Sequence, residues 1–215
     1  MNTDAKTILD KAGILLDDVD ATRWPTAERL GWLNDGELEL VILAPLANVK
    51  NTPVQLVQGV KQTLPADAVS LLDIPYNMGS GSTLGTLINR VAKEVMQKRL
   101  PAWTTTTANA VVKHYIYSPN EPLNFYVYPP QTSSPAYVQL VYSAIPATIA
   151  NANAGTKITV ADYYANALLD YVLYRALSKD SAYGNQDAKA QAHYQNFVKL
   201  LSVELSAWQP QQAVK

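Results

Sequence analysis

Between Leu100 and Thr156 the chain carries only two formally charged side chains, Lys113 and Glu121. That stretch is built instead from Tyr, Thr, Ala, Asn and Pro. It constrains the fold strongly, because a free monomer usually carries more charge to stay soluble. Over the whole chain charged residues amount to 16%, against roughly 25% in ordinary soluble domains. Interface cores lose charge and gain aromatic residues such as Tyr and Trp. The pattern therefore points to a surface largely covered by other subunits. A β-sandwich core with a neutral polar exterior is the other way to produce it.

The flanking parts read differently. Thr3 or Asp4 can cap a helix carrying Ile8, Leu9, Ala12 and Leu15 or Leu16 at spacings of three and four. Asp17, Asp18 and Asp20 then mark a turn, either solvated or capping a helix. A second helix opens at Pro25 and runs toward Ala44, with Leu30, Leu33, Val41 and Ile42 on its apolar face and Trp24 and Trp32 adding buried area. In the middle, Val54–Val57 and Val60–Leu64 flank Gln58-Gly59 and read as a short hairpin. Val69–Ile74 is a further strand, Asn77–Gly85 a mobile loop, and Leu84–Ala92 a returning strand followed by one or two helical turns before Leu100-Pro101. Val111–Tyr117, Leu123–Tyr128 (closed by Pro129-Pro130) and Tyr137–Ser143 fit a half-buried antiparallel sheet.

Toward the C-terminus, Thr159 and Asp162 stand like a capping pair before a helix from about Ala161 to Ser178. Its one polar stripe is Asp162, Asn166 and Asp170, so it is expected to be buried over a wide arc. A last helix, about Gln186 to Leu205, carries Ala190, Tyr194, Phe197, Val198 and Leu201, and the tail Ser206–Lys215 has one large anchor, Trp208. The expected fold class is α+β. N- and C-terminal helices (1–49 and 157–215, with a tail at 206–215) form a helical bundle, and 50–156 forms a large antiparallel β-rich insertion.

The chemistry is sparse. With 17 Lys and Arg against 18 Asp and Glu, there is no cationic surplus to hold a polyanion as the main ligand. No cysteine is present, which removes disulfides, thiolate zinc sites and thiol nucleophiles. His114 and His193 each lack a second ligand at metal spacing, and both read as structural. The loop Gly79-Ser80-Gly81-Ser82-Thr83-Leu84-Gly85 lacks the lysine of a phosphate cradle and the glycine interval of a dinucleotide loop, leaving a hairpin tip. Asp162 and Asp170 lie on one helix face rather than across a cleft. No catalytic, cofactor or metal site is expected. Tyr115, Tyr117, Phe125, Tyr126, Tyr128, Tyr137 and Tyr142 could form a platform for a glycan or another neutral ligand, or could be core and subunit-contact aromatics. The longest apolar stretch, Leu38–Leu46, is broken by Glu39 and Pro45. With no signal-like N-terminus either, a soluble protein made without export and without a membrane partner is expected.

Four phrases, in order, carry a resemblance. They are Arg23-Trp24 followed by Trp32-Leu33-Asn34-Asp35-Gly36, then Gly59–Pro65, then Tyr126-Val127-Tyr128-Pro129-Pro130, then Asp170–Asp180. Over about residues 5 to 200 the chain resembles the head-to-tail adaptors of tailed bacteriophages, also called connector or head-completion proteins. The resemblance implies a non-enzymatic virion component that assembles in the host bacterial cytoplasm. It implies a ring of typically twelve copies at the head-tail junction, below the portal protein. Such a ring joins capsid to a tail or nozzle protein and leaves a channel for genomic DNA, which passes without sequence-specific binding. It also implies a helical bundle with a β-rich insertion. On that reading Trp24, Trp32, Tyr171 and Arg175 build the protomer core or its contacts, with Arg175 a buried or subunit-bridging cation paired to Asp35 or Asp180. Tyr126 and Tyr128 belong to the contact-forming insertion. Trp208, Gln209, Pro210 and Gln211 would dock into the portal.

Overall fold

A computed structural model describes residues 3–79, 83–179 and 186–208, the last helix beyond Leu201 by its backbone alone. The described residues form an α+β fold with five α-helices and two largely antiparallel sheets. They divide into two compact units, Met1–Asn48 with Pro146–Lys215, and Val49–Ile145.

The first unit is helical. Helix α1 (Ala5–Leu15) buries Ile8, Leu9 and Ala12, the apolar positions its spacing sets on one face. Helix α2 (Thr26–Leu43) starts directly after Pro25 and buries Leu30, Trp32, Leu33, Leu40 and Val41. Of Leu15 and Leu16, offered as alternatives, Leu15 is exposed and Leu16 half-buried, while Ile42, expected on the apolar face of α2, is exposed. A 3-10 turn, Asp162–Tyr164, leads into α4 (Ala165–Lys179), which buries Ala167, Leu168, Tyr171, Val172, Leu173 and Ala176. That width of apolar surface lets α4 pack on α1, on α2 and on α5 (Gln186–Trp208). The expected Thr159/Asp162 cap does not form. The Thr159 hydroxyl donates to the Ala147 carbonyl, while Asp162 accepts from the Thr3 hydroxyl at 2.6 Å.

The second unit holds both sheets. One runs β1 (Val49–Gln55), β9 (Tyr137–Ala144), β4 (Tyr76–Gly79), β5 (Thr83–Leu87), with β3 (Ala68–Asp73) also paired to β9. The other runs β2 (Gly59–Thr63), β8 (Asn124–Gln131), β7 (His114–Tyr117), β6 (Asn89–Arg90), the last pair parallel. Helix α3 (Lys93–Arg99) follows β6.

Several expectations fail here for one reason, that strand partners are chosen across the sequence. Val54–Val57 and Val60–Leu64 do not form a hairpin: β1 pairs with β9 and β2 with β8. The crossing between them is held by Gln62, whose side chain accepts from Val57 N–H at 2.7 Å and donates to Val57 carbonyl at 2.8 Å. Strand β8 is not closed by Pro129-Pro130 but runs through them to Gln131, with a cis Tyr128-Pro129 bond. Asn77–Gly85 is not simply a loop, since β4 and β5 pair across it; its Ser80–Ser82 tip lies outside the described residues.

Alternation decides what each face meets. On β8, Phe125 and Val127 join Leu71, Ile74, Val138 and Leu140 in a core drawn from both sheets. Tyr126 and Tyr128 point the other way, against Ile116, α3 residue Met96 and Trp103. The β2-β8 sheet is therefore packed on both faces around β8, where a half-solvated sheet was expected.

Candidate functional site

Four buried or half-buried polar groups on α2 and the preceding turn tie backbone segments of the helical unit together. The phrase Trp32-Leu33-Asn34-Asp35-Gly36 lies within α2, one residue before Glu37. Trp32 and Leu33 are buried. Asn34 behaves like a strand residue: it accepts from Ile149 N–H at 2.8 Å and donates to the Ile149 carbonyl at 3.1 Å. One turn on, Glu37 is fully buried and its Oε1 accepts from Thr159 N–H at 2.6 Å and Val160 N–H at 3.2 Å. Its Oε2 has no hydrogen-bond partner among the described residues. Burial pushes the Glu37 carboxyl above the usual carboxylate range, against the two amides that favour its charge. Residues three apart on a helix share a face, so Asn34 and Glu37 together clamp the irregular chain that leads back into α4.

Gly36 and Asp35 face α4. A Cβ on Gly36 would lie 2.8 Å from the Tyr171 ring, so only glycine permits this approach. Asp35 Oδ2 lies 3.4 Å from Arg175 Nη1, and Arg175 also reaches the Tyr171 hydroxyl at 3.3 Å. Arg175 is thus half-exposed, not buried, and of its two expected carboxylates Asp35 is the one in reach; Asp180 lies outside the described residues. Tyr171 packs edge-on to Phe197 at 5.1 Å, and burial raises its hydroxyl to about 12. Alongside, the Tyr194 hydroxyl donates to Glu39 at 2.8 Å and is raised by that bond. Asp170, expected in a solvated stripe, meets His193 Nδ1 at 2.7 Å.

Trp24 belongs to a second node, away from that phrase, at the α1–α2 turn. Asp18 is buried there, where a solvated turn or a helix cap was expected. Its carboxylate accepts from the Thr22, Arg23 and Trp24 amides at 2.9, 3.1 and 2.9 Å. These bonds, the Trp24 amide foremost, hold it below the usual carboxylate range. Arg29, 3% exposed, donates to the carbonyls of Trp24, Leu9 and Asp18 at 2.8, 3.3 and 3.2 Å, with its Nη2 3.8 Å from the Asp18 carboxylate. Trp24 is buried and its Nε1 has no hydrogen-bond partner among the described residues.

Tyr126 and Tyr128 lie in the other unit. Tyr126 meets Trp103 edge-on at 6.3 Å and donates to Glu121 at 2.8 Å, while Tyr128 stacks on His114 at 6.1 Å. Both rings thus make contacts within the chain while staying half-exposed, and Tyr126 lines a depression with Trp103, Ile116, Lys61 and Lys93. Trp208 ends α5, and Gln209, Pro210 and Gln211 lie outside the described residues. Among the described residues no group of three or more His, Cys, Asp or Glu side chains is placed to hold a metal ion, and no helix is long and apolar enough to cross a membrane.

Sequence reasoning singled out Trp24, Trp32, Tyr171 and Arg175 but passed over Asp18, Arg29, Asn34, Gly36 and Glu37 as functional positions. For Glu37 a signal was available: it falls four residues after Leu33 and three before Leu40, on the apolar face of the helix. What the geometry offers is fastening, with buried polar groups tied to backbone. No curated protein matches the chain. The family described as SU10 adaptor protein matches residues 3–214. By that match over nearly its whole length, the chain belongs to the SU10 adaptor protein family of phage head-tail adaptors.

Proposed function

We propose that this virion protein works as an oligomeric ring below the portal, joining capsid to tail and leaving an axial channel for DNA. The observation that carries the reading is the family match over residues 3–214. The nearly uncharged stretch from Leu100 to Thr156 supports it, since large subunit contacts suit low charge. In this reading residues 1–49 and 157–215 form a helical bundle that positions the insertion 50–156. Trp24, Trp32, Tyr171 and Arg175 stabilise the protomer. The insertion, with Tyr126 and Tyr128 in its second core, makes lateral or tail-side contacts. The segment 206–215, with Trp208, Gln209, Pro210 and Gln211, reaches the portal. Twelve copies, the portal and a tail or nozzle protein are the proposed partners. DNA passes without sequence-specific binding.

Native mass and negative-stain images of the protein, alone and with its portal, test this. Rings in either sample support the adaptor ring; rings only with portal indicate assembly on a template. A persistent monomer that ignores portal refutes it. Deleting residues 206–215 should abolish portal binding while the protomer stays folded by circular dichroism, and unchanged binding refutes docking by the tail.

A further inference from the structure

The near-zero net charge conceals a split between the two units. Val49–Ile145 holds seven Lys and Arg against four Asp and Glu, a net charge of +3. Met1–Asn48 with Pro146–Lys215 holds ten against fourteen, a net charge of −4. Within the first set Lys50 is paired with Asp67, while Asp73 and Glu121 accept from the Tyr115 and Tyr126 hydroxyls. Lys93, Lys98 and Arg99 on α3 are exposed, with no partner among the described residues, and only Glu94 offsets them on that helix. The same helix leaves Val95 42% and the following Leu100 39% exposed. Its inner face is taken by Met96, so this outer face is apolar and basic at once.

The α1–α2 turn of the helical unit shows the complementary pattern. Ile14 is 65% and Val19 72% exposed, and they line a depression with Lys6, Leu9, Asp10, Thr26 and Arg29, in which Lys6 is paired to Asp10 and Arg29 to backbone carbonyls. Asp17 and Asp20 flank Val19, both exposed and without partners among the described residues. Asp18 between them is committed inward, which leaves its two neighbours to face outward. Exposed apolar pairs rimmed by opposite charges are the composition of a polar-rimmed contact.

We infer that the basic face of α3 (Val95, Lys98, Arg99, Leu100) in one copy docks on the α1–α2 turn (Ile14, Asp17, Val19, Asp20) of the next copy. The inference rests on the ring reading above. Such a contact joins two different patches, so it is heterologous and can close a ring, which a self-complementary patch cannot do beyond a dimer. The two signs also fix direction, because like patches repel when copies meet in the wrong order.

The test uses the full chain and reads native mass against protein concentration, with and without portal. K98E/R99E should raise the half-assembly concentration by about tenfold or more, and D20K should do the same. V19S provides a charge-neutral second variant that should also weaken assembly. Combining K98E/R99E with D20K should recover much of the loss, because the contact is then reversed in sign. Circular dichroism melts confirm that each protomer is folded. Rings that persist unchanged in the single-site reversals, or a combination no better than its parts, overturn the contact but leave the ring reading standing. A wild-type chain that stays monomeric with and without portal overturns both. Unchanged assembly together with lost retention on a double-stranded DNA column would instead make α3 a DNA-facing surface and overturn the contact.

Discussion

Two glycines on one helix should respond to the same substitution with opposite signs. Gly31 and Gly36 both lie in the interior of α2. A Cβ on Gly31 meets nothing within 4 Å, whereas on Gly36 it would stand 2.8 Å from Tyr171 Cδ1 and 3.2 Å from its Cγ. Replacing an interior helical glycine by alanine stabilises by ~0.5–1 kcal/mol through reduced backbone freedom in the unfolded chain. Gly31→Ala should realise that gain. Gly36→Ala receives the same gain but adds overpacking, which costs ~1–3 kcal/mol. The upper part of that range applies, because the Tyr171 ring is 3% exposed and held between Phe197 at 5.1 Å and Tyr174 at 5.8 Å. Net destabilisation of ~1–2 kcal/mol follows. Thermal unfolding followed at 222 nm should separate the two variants by roughly 5–10 °C, given about 2–4 °C per kcal/mol for a chain of this size. Tyr171→Leu removes the ring, so Gly36→Ala should cost less in that background than in the wild type. A Gly36→Ala protein as stable as Gly31→Ala would refute the close approach of α2 and α4.

Three further perturbations address the buried polar groups. Glu37→Leu removes the acceptor of two amides and should destabilise by ~2–4 kcal/mol in urea titrations; a loss under ~1 kcal/mol would contradict the clamp. Glu37 has its folded pKa raised by burial, so its neutral form is favoured by folding. Its contribution is fully present below the unfolded value and is lost as pH rises through the folded one. Glu37→Gln should therefore flatten the fall in stability above pH ~4.5, and an unchanged pH profile would argue against it. Asp18 has the opposite sign: its folded pKa is lowered, so its contribution is present above the unfolded value and lost on acidification. Asp18→Asn should lower the neutral-pH melting temperature and weaken the acid dependence; equal melting curves at neutral pH would count against the buried turn. Asn34→Ala should cost ~1–3 kcal/mol and accelerate hydrogen exchange at the Ile149 amide, whereas unaltered exchange there would exclude the pairing.

Much of the local structure was legible. Ile8, Leu9 and Ala12 on α1 are buried where their spacing places them, and Tyr126 and Tyr128 share a face of β8 as alternation requires. The polar fasteners were not legible as such. Asp18 looks like any aspartate in an acidic turn, and only the backbone's path from Thr22 to Trp24 turns three amides toward it. The β platform illustrates the same limit: Tyr126 and Tyr128 do share a face, but nothing in their alternation says that Trp103 and Met96 will cover it.

By itself the sequence determined the order of helical and β-rich regions, the uncharged stretch and the absence of cysteine chemistry, because composition and periodicity depend only on near neighbours along the chain. Tertiary structure alone decided that β1 pairs with β9 rather than β2, that Gly36 faces Tyr171, and that Glu37 meets amides 122 and 123 positions away. Pairing and desolvation of a polar group depend on what lies across the fold, and no local window contains that partner.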